Sequence, residues 1–169
     1  MMSERSEQLP ILQQRRIEAQ VIKPIYDEMV SRFGVEAAQA VLGSAIEKAA
    51  IAQGKSFAEA ADGHLGIEGF AAIQKHWTAG GALEIEEVGR SAETLDFNVT
   101  RCRYSEMYRA MGLGDIGHLL SCNRDGTFCQ GFDPRITLER TQTIMGGASH
   151  CDFRYKIDTD AGKPEPGAS

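Results

Sequence analysis

Several things are scarce in this chain of 169 residues, and each absence narrows the reading. Positive charge is not in surplus: the formal net charge is −6, which argues against nonspecific attachment to nucleic acid or to an anionic membrane. Long apolar runs are missing from the start, "MMSERSEQLPILQQRR", so neither a secretory signal nor a spanning helix is expected there. Cysteine is sparse and unpaired in pattern. The thiols at 102, 122, 129 and 151 form no CxxC, and the nearest spacing is C-x6-C, so zinc is not the expected cofactor. Without an export signal these thiols are expected to be reduced and the compartment cytoplasmic. No repeat or low-complexity block occurs.

What remains has ordinary globular proportions, 42% hydrophobic and 25% charged, at a length that suits one domain over residues 1–157. Residues 1–8 are expected to fray, and the Pro/Gly-rich tail 158–169 to be disordered. From Pro10 to Phe33 apolar residues recur at helical spacing, with a kink or restart expected at Pro24 and a stop at Gly34. An alanine-rich second helix should end at Gly54, and a third should span Ile67 to Thr78. After Gly80-Gly81 the pattern alternates. One hairpin carries Leu83 and Ile85 opposite Leu95, Phe97 and Val99, and a closing hairpin covers roughly 136 to 157. Between them lie helices at "CRYSEMYRAMG" and "GDIGHLLSC" and an expected loop, "NRDGTFCQGFDP". The fold class is α+β: a helical N-terminal half packed on an antiparallel sheet of about four strands.

Reactive side chains are densest between 101 and 155. Tyr104, Met107, Tyr108 and Met111 form an apolar helical stripe, while Cys102, Glu106 and Arg109 share another, with a surface Glu106–Arg109 pair as the plain reading. His118, Cys122 and Asp125 fall at i, i+4 and i+7, which would gather imidazole, thiol and carboxylate if the helix persists through Cys122. Cationic and hydrogen-bonding neighbours in "NRD" should lower the pKa of Cys122; alternatively that thiol is a small buried hydrophobe.

The closing hairpin holds a puzzle. With a four-residue loop at Gly146–Ser149, Ile144 pairs Cys151, Gln142 pairs Phe153, Arg140 pairs Tyr155 and Leu138 pairs Ile157. An otherwise apolar face then carries an arginine, a glutamine and a thiol. A buried guanidinium requires an anion. Either an internal acid such as Glu106 or Asp125 supplies it, or a ligand does, with Arg140 gripping a carboxylate and Gln142 bonding a ring nitrogen or carbonyl. A slip of one residue would instead turn Arg140 to solvent.

The run from Phe97 to Tyr155, about sixty residues, resembles the L-2-amino-thiazoline-4-carboxylic acid hydrolase family. The resemblance rests on Cys102-Arg-Tyr104 before "EMYRAMG", Cys122-Asn-Arg-Asp125, Gly131-Phe132, "RTQTIM" and Cys151-Asp-Phe153-Arg-Tyr155. Gly147 to Phe153 is also similar to the end of 4-vinyl reductase domains, some of which bind zinc through cysteines and an acidic residue; Arg140 and Thr143 stand at those acid and cysteine positions here. The first resemblance implies a hydrolase acting on non-peptide C–N bonds of a small cyclic amidine or amide that bears a carboxylate, giving an N-carbamoyl amino acid. Cys122, Asp125 and Cys151 are the catalytic candidates: Cys122 attacks directly, or Asp125 activates water, with Cys151 beside them or itself the nucleophile. Arg140, Gln142, Tyr104, Cys102 and His118 are the substrate-binding candidates. The partner is a small-molecule carboxylate; a homo-oligomer is compatible. The competing readings are a noncatalytic ligand-binding module and a structural zinc–thiolate domain.

Overall fold

Helix α1, Ile11–Phe33, starts directly after Pro10 and ends at Gly34, as its apolar spacing predicts. Pro24 does not restart it: the helix runs through as one element. Both Pro24 and Gln20, whose carbonyl loses its donor, are exposed, so that carbonyl is open to solvent. The computed structural model describes residues 9–160. The expected frayed start and most of the expected disordered tail lie outside them.

Helix α2, Val35–Ala60, also outruns its predicted end, continuing past Gly54. The physical reason is a helix crossing. A Cβ on Gly54 would run into the Phe128 carbonyl and lie 2.8 Å from the Phe132 amide nitrogen, while one on Gly131 would meet the Ile51 carbonyl. Two glycines facing each other let α2 and the helix that carries Gly131 approach to backbone contact, so Gly54 is a packing residue and not a stop.

Helix α3, Gly66–Ile73, and the short α4, Lys75–Thr78, divide what the periodicity reads as one helix, the break falling at Gln74. Helix α5, Arg103–Ala110, is capped by Cys102, whose Sγ accepts from the Ser105 amide at 3.4 Å, and it buries Tyr104, Met107 and Tyr108 as expected. Glu106 does not pair with Arg109. It takes Arg101 at 2.8 Å, and Arg109 donates to the Ile144 carbonyl at 2.7 Å.

The segment expected as a loop is helix α6, Arg124–Phe132. It is entered through a π-helical turn, His118–Cys122, in which the Asn123 amide donates to the His118 carbonyl at 2.9 Å. Turn-forming "NRDG" becomes helical because Phe128, Cys129 and Phe132 gain burial against α2 and the sheet, and Asp125 sits in the first turn, where a carboxylate suits the helix dipole.

The sheet is antiparallel in the order β1-β2-β4-β3, from β1 Leu83–Arg90, β2 Thr94–Cys102, β3 Ile136–Glu139 and β4 Cys151–Ile157. The first hairpin is as read from the sequence. The second is not. β3 ends at Glu139, Leu138 pairs Tyr155 and not Ile157, and residues 140–150 form a loop between the strands. The displacement is two residues, one full strand period, so it preserves the face of every side chain. Asp152 fastens the loop, accepting from the Thr141 and Gln142 amides at 3.0 and 2.9 Å.

Two apolar cores result. One joins the inner face of the sheet to α3 and α6; the other joins α1, α2 and α5. Trp77, Leu83 and Cys102 touch both, and the seam they mark is where the candidate site lies. No helix among the described residues is long and apolar enough to cross a membrane.

Candidate functional site

A narrow cleft of about 50 Å³ opens along this seam. Its walls are aromatic: Phe70, Trp77, Phe97, Phe128, Phe153 and Tyr155. The sheet side is set by cross-strand pairing, which places Phe97 opposite Phe153 with rings stacked at 4.9 Å. The helix side is set by Trp77 standing edge-on to Phe128 at 5.2 Å. The Tyr104 hydroxyl donates to the Trp77 carbonyl at 3.1 Å and so braces this wall. Leu83 and five polar residues complete the lining: Arg15, Gln53, Gln74, Arg124 and Asp125.

Asp125 is the carboxylate on the wall. Its Oδ2 accepts from Arg140 Nη1 at 2.6 Å. Burial raises its pKa above the usual carboxylate range, against the opposing pull of Arg140. Arg140 also donates to the Cys122 carbonyl at 3.0 Å and lies over the Phe153 ring at 4.9 Å. Of the two anions open to it from the sequence, the internal one is present. For Arg140 burial works downward, but the charge and hydrogen bond of Asp125 carry its pKa upward. This pair is a satisfied ion pair beside a cavity, with Asp125 on the cleft wall and Arg140 behind it.

The helical wall carries a different arrangement. Arg15, only 4% exposed, donates to both Glu18 carboxylate oxygens at 2.8 and 2.9 Å and to Gln53 Oε1 at 2.9 Å. Arg124 reaches the same Glu18 at 3.4 Å and the Leu120 carbonyl at 2.9 Å. Two buried guanidiniums thus share one carboxylate. Burial, and then repulsion from Arg15, bring the pKa of Arg124 down to about 10.

None of these helical-wall residues is among those singled out from the sequence. The signal was there for Arg15: it falls at i+4 from Ile11 and four before Ala19, on the buried stripe of α1, a charge where periodicity asks for an apolar residue. Arg124 lay within "NRD", read as a turn.

The other predicted residues divide. Cys102, Cys122 and Cys151 come near enough to Asp125 to feel its charge. The expected activation of Cys122 is reversed, however: burial, and then the negative charge of Asp125, push it up to about 12, and Arg140 only partly offsets them. Burial likewise takes Cys102 up to about 11 and raises Cys151. Each of these thiols is protonated at neutral pH. Cys151 Sγ accepts from the Ile144 amide at 3.2 Å. Gln142 is turned into its own loop, donating to the His150 carbonyl at 3.0 Å. His118 is exposed: the π-helical turn adds one residue to the repeat and rotates it off the i, i+4, i+7 line that would have joined it to Cys122 and Asp125.

The zinc tied to the second resemblance does not fit. Arg140 brings a cation, and Thr143 a hydroxyl, to positions that would need an acid and a thiol. Among the described residues no group of three or more His, Cys, Asp and Glu side chains is arranged to hold a metal ion.

Comparison with known proteins agrees with this architecture. In structure the chain is similar to the phenol-responsive sensory domain of the transcription activator PoxR, crystallised with phenol: the TM-score is 0.52 and the identity 13%, over 83% of this chain and 76% of that one. At that identity the likeness establishes the fold. No curated protein matches the sequence. The sequence model of one family matches residues 14–155, from the helix that carries Arg15 to the strand that carries Tyr155. By that match the chain belongs to the L-2-amino-thiazoline-4-carboxylic acid hydrolase family.

Proposed function

We propose that the cleft binds a small, flat, carboxylate-bearing cyclic amidine of the 2-amino-thiazoline-4-carboxylate kind and opens its ring with water to an N-carbamoyl amino acid. The observation that supports this reading is Asp125: a carboxylate on the wall of an aromatic cleft, one oxygen held by Arg140, with a proton affinity raised by burial. A positioned carboxylate of raised pKa is suited to general-base work.

The ring lies between the aromatic walls, protonated on its ring nitrogen, which makes the carbon between nitrogen and sulfur electrophilic. Asp125 takes a proton from water as the water oxygen adds to that carbon. The carbon–sulfur bond of the adduct then breaks, a carbonyl forms, and Asp125 returns its proton to the departing sulfur. The hydroxyl proton of the adduct goes to solvent, matching the one the ring nitrogen carried in. Arg140 keeps the carboxylate oriented. The thiols, protonated at rest, form the adjoining wall; water and not sulfur is the nucleophile in this scheme.

A second reading is favoured by the protonated thiols and by the sensory-domain neighbour: a module that binds a small molecule without converting it. Incubating the protein with the thiazoline acid and following release of a new thiol, with product mass showing the gain of one water, separates the two. Turnover that falls by roughly 10²-fold in Asp125→Asn is the expected result. Binding without conversion of this acid, or of hydantoin-like and imidazoline acids, leaves the second reading in possession.

A further inference from the structure

We infer that Arg15 and Arg124, together with Gln53, form the subsite that recognises the ligand's carboxylate, and that Glu18 is the internal anion the ligand displaces. The inference rests on the proposed occupancy of the cleft by a small ring acid, but it assigns the acid end to the helical wall and not to the terminal hairpin.

Three observations lead there. First, the arginine singled out by the hairpin pattern has its requirements met: carboxylate, carbonyl and ring face all contact Arg140. Second, the helical wall holds a positive charge in excess: among the described residues Glu18 is the one carboxylate in ion-pair contact with Arg15 and Arg124, and Asp125, whose charge both feel, is already paired with Arg140. Burying two guanidiniums against one carboxylate is unfavourable unless a second anion joins them. Third, the three members differ in freedom. The Arg15 side chain is 4% exposed and fixed between Glu18 and Gln53, whereas the Glu18 side chain is 40% exposed. Glu18 can swing into water; Arg15 cannot follow it. A planar ligand carboxylate has the same geometry as the one it replaces and fits the forks of both guanidiniums, with the Gln53 amide at their side. Asp125 then stands farther along the same cleft, facing the ring.

Titration calorimetry on the whole chain tests this with thiazolidine-4-carboxylate, which keeps ring and acid but has no amidine carbon to hydrolyse, against thiazolidine, which lacks the acid. The acid is expected to bind at least about 10-fold tighter, the discrimination typical of a charge-assisted bidentate contact. Arg15→Gln and Arg124→Gln should each bring the two ligands to within about 2-fold of one another, and Glu18→Gln should tighten the acid several-fold while leaving thiazolidine unchanged. Discrimination that survives in both arginine variants, or an acid affinity that falls in Glu18→Gln, overturns the inference. So does an acid that fails to bind. If Arg15→Gln does not fold, Arg124→Gln makes the same distinction by itself. Discrimination without turnover of the thiazoline acid removes the hydrolase reading alone, and turnover without arginine-dependent discrimination removes this subsite alone.

Discussion

Arginines lie largely out of water on two sides of the cleft, and the two sides treat them oppositely. On the strand side, Arg140 meets Asp125 in a close ion pair, adds a carbonyl and covers an aromatic ring. On the helix side, Arg15 and Arg124 crowd one shared carboxylate, and Arg124 holds its proton less firmly than a free guanidinium. A balanced pair stabilises the fold and is finished. A cluster with one charge too many is stable only at some strain, and beside an open cleft that strain is a capacity to bind. The unmet charge, more than burial, separates a structural arginine from one that waits for a ligand.

Unfolding experiments can break this contrast. Arg140→Gln strands a buried Asp125 carboxylate and should lower stability by about 3 kcal/mol in a denaturant midpoint assay. Arg124→Gln relieves repulsion from Arg15 and should cost less than about 1 kcal/mol despite comparable burial. Equal losses in the two variants would erase the distinction between the regions. A smaller effect is expected at the thiols. Cys122→Ala should cost about 1 kcal/mol for lost packing and leave turnover within about twofold, because a thiol pushed up to about 12 is not a nucleophile at neutral pH; loss of activity there would move the chemistry from Asp125 to sulfur.

The smallest effect belongs to the loop that carries Arg140 into place. For Asp152 burial works upward, but the Thr141 hydroxyl and the Gln142 and Thr141 amides outweigh it and hold the carboxyl at about 2, below its ordinary 3.8. A carboxyl with a lowered folded pKa contributes stability that is complete above its unfolded value and is lost as pH falls through the folded one. Amide protection in residues 140–150, taken as the exchange rate relative to the intrinsic rate at each pH, should therefore fall between pH 4 and about 2 and stay level above that window. Protection lost already at pH 6 would mean that another group fastens the loop.

Much of this was legible from residue order. The α+β class, the first hairpin, the buried stripe of α5 and the inward face of Arg140 all follow from periodicity, and periodicity survives errors of two residues in a strand. Arg140 opens the loop after β3 and pairs with no strand residue, yet it keeps the inward side that Leu138 sets two residues earlier. What periodicity misread are the places where one element leans on another. Gly54 reads as a stop when Gly131 is out of view, and "NRDG" reads as a turn when α2 is not there to bury Phe128 and Phe132. His118 lost its line to Cys122 through one extra residue in a π-helical turn, a feature without a residue signature.

The sequence alone determined the family, the kind of layers and the presence of a buried cation near the end of the chain, because these depend on local spacing and on motifs within a single stretch. Only the tertiary structure decided which cation is satisfied. Glu18 and Arg124 are 106 residues apart along the chain, and whether two positive charges share one negative charge is a matter of distance in space, where Coulomb energy and desolvation act.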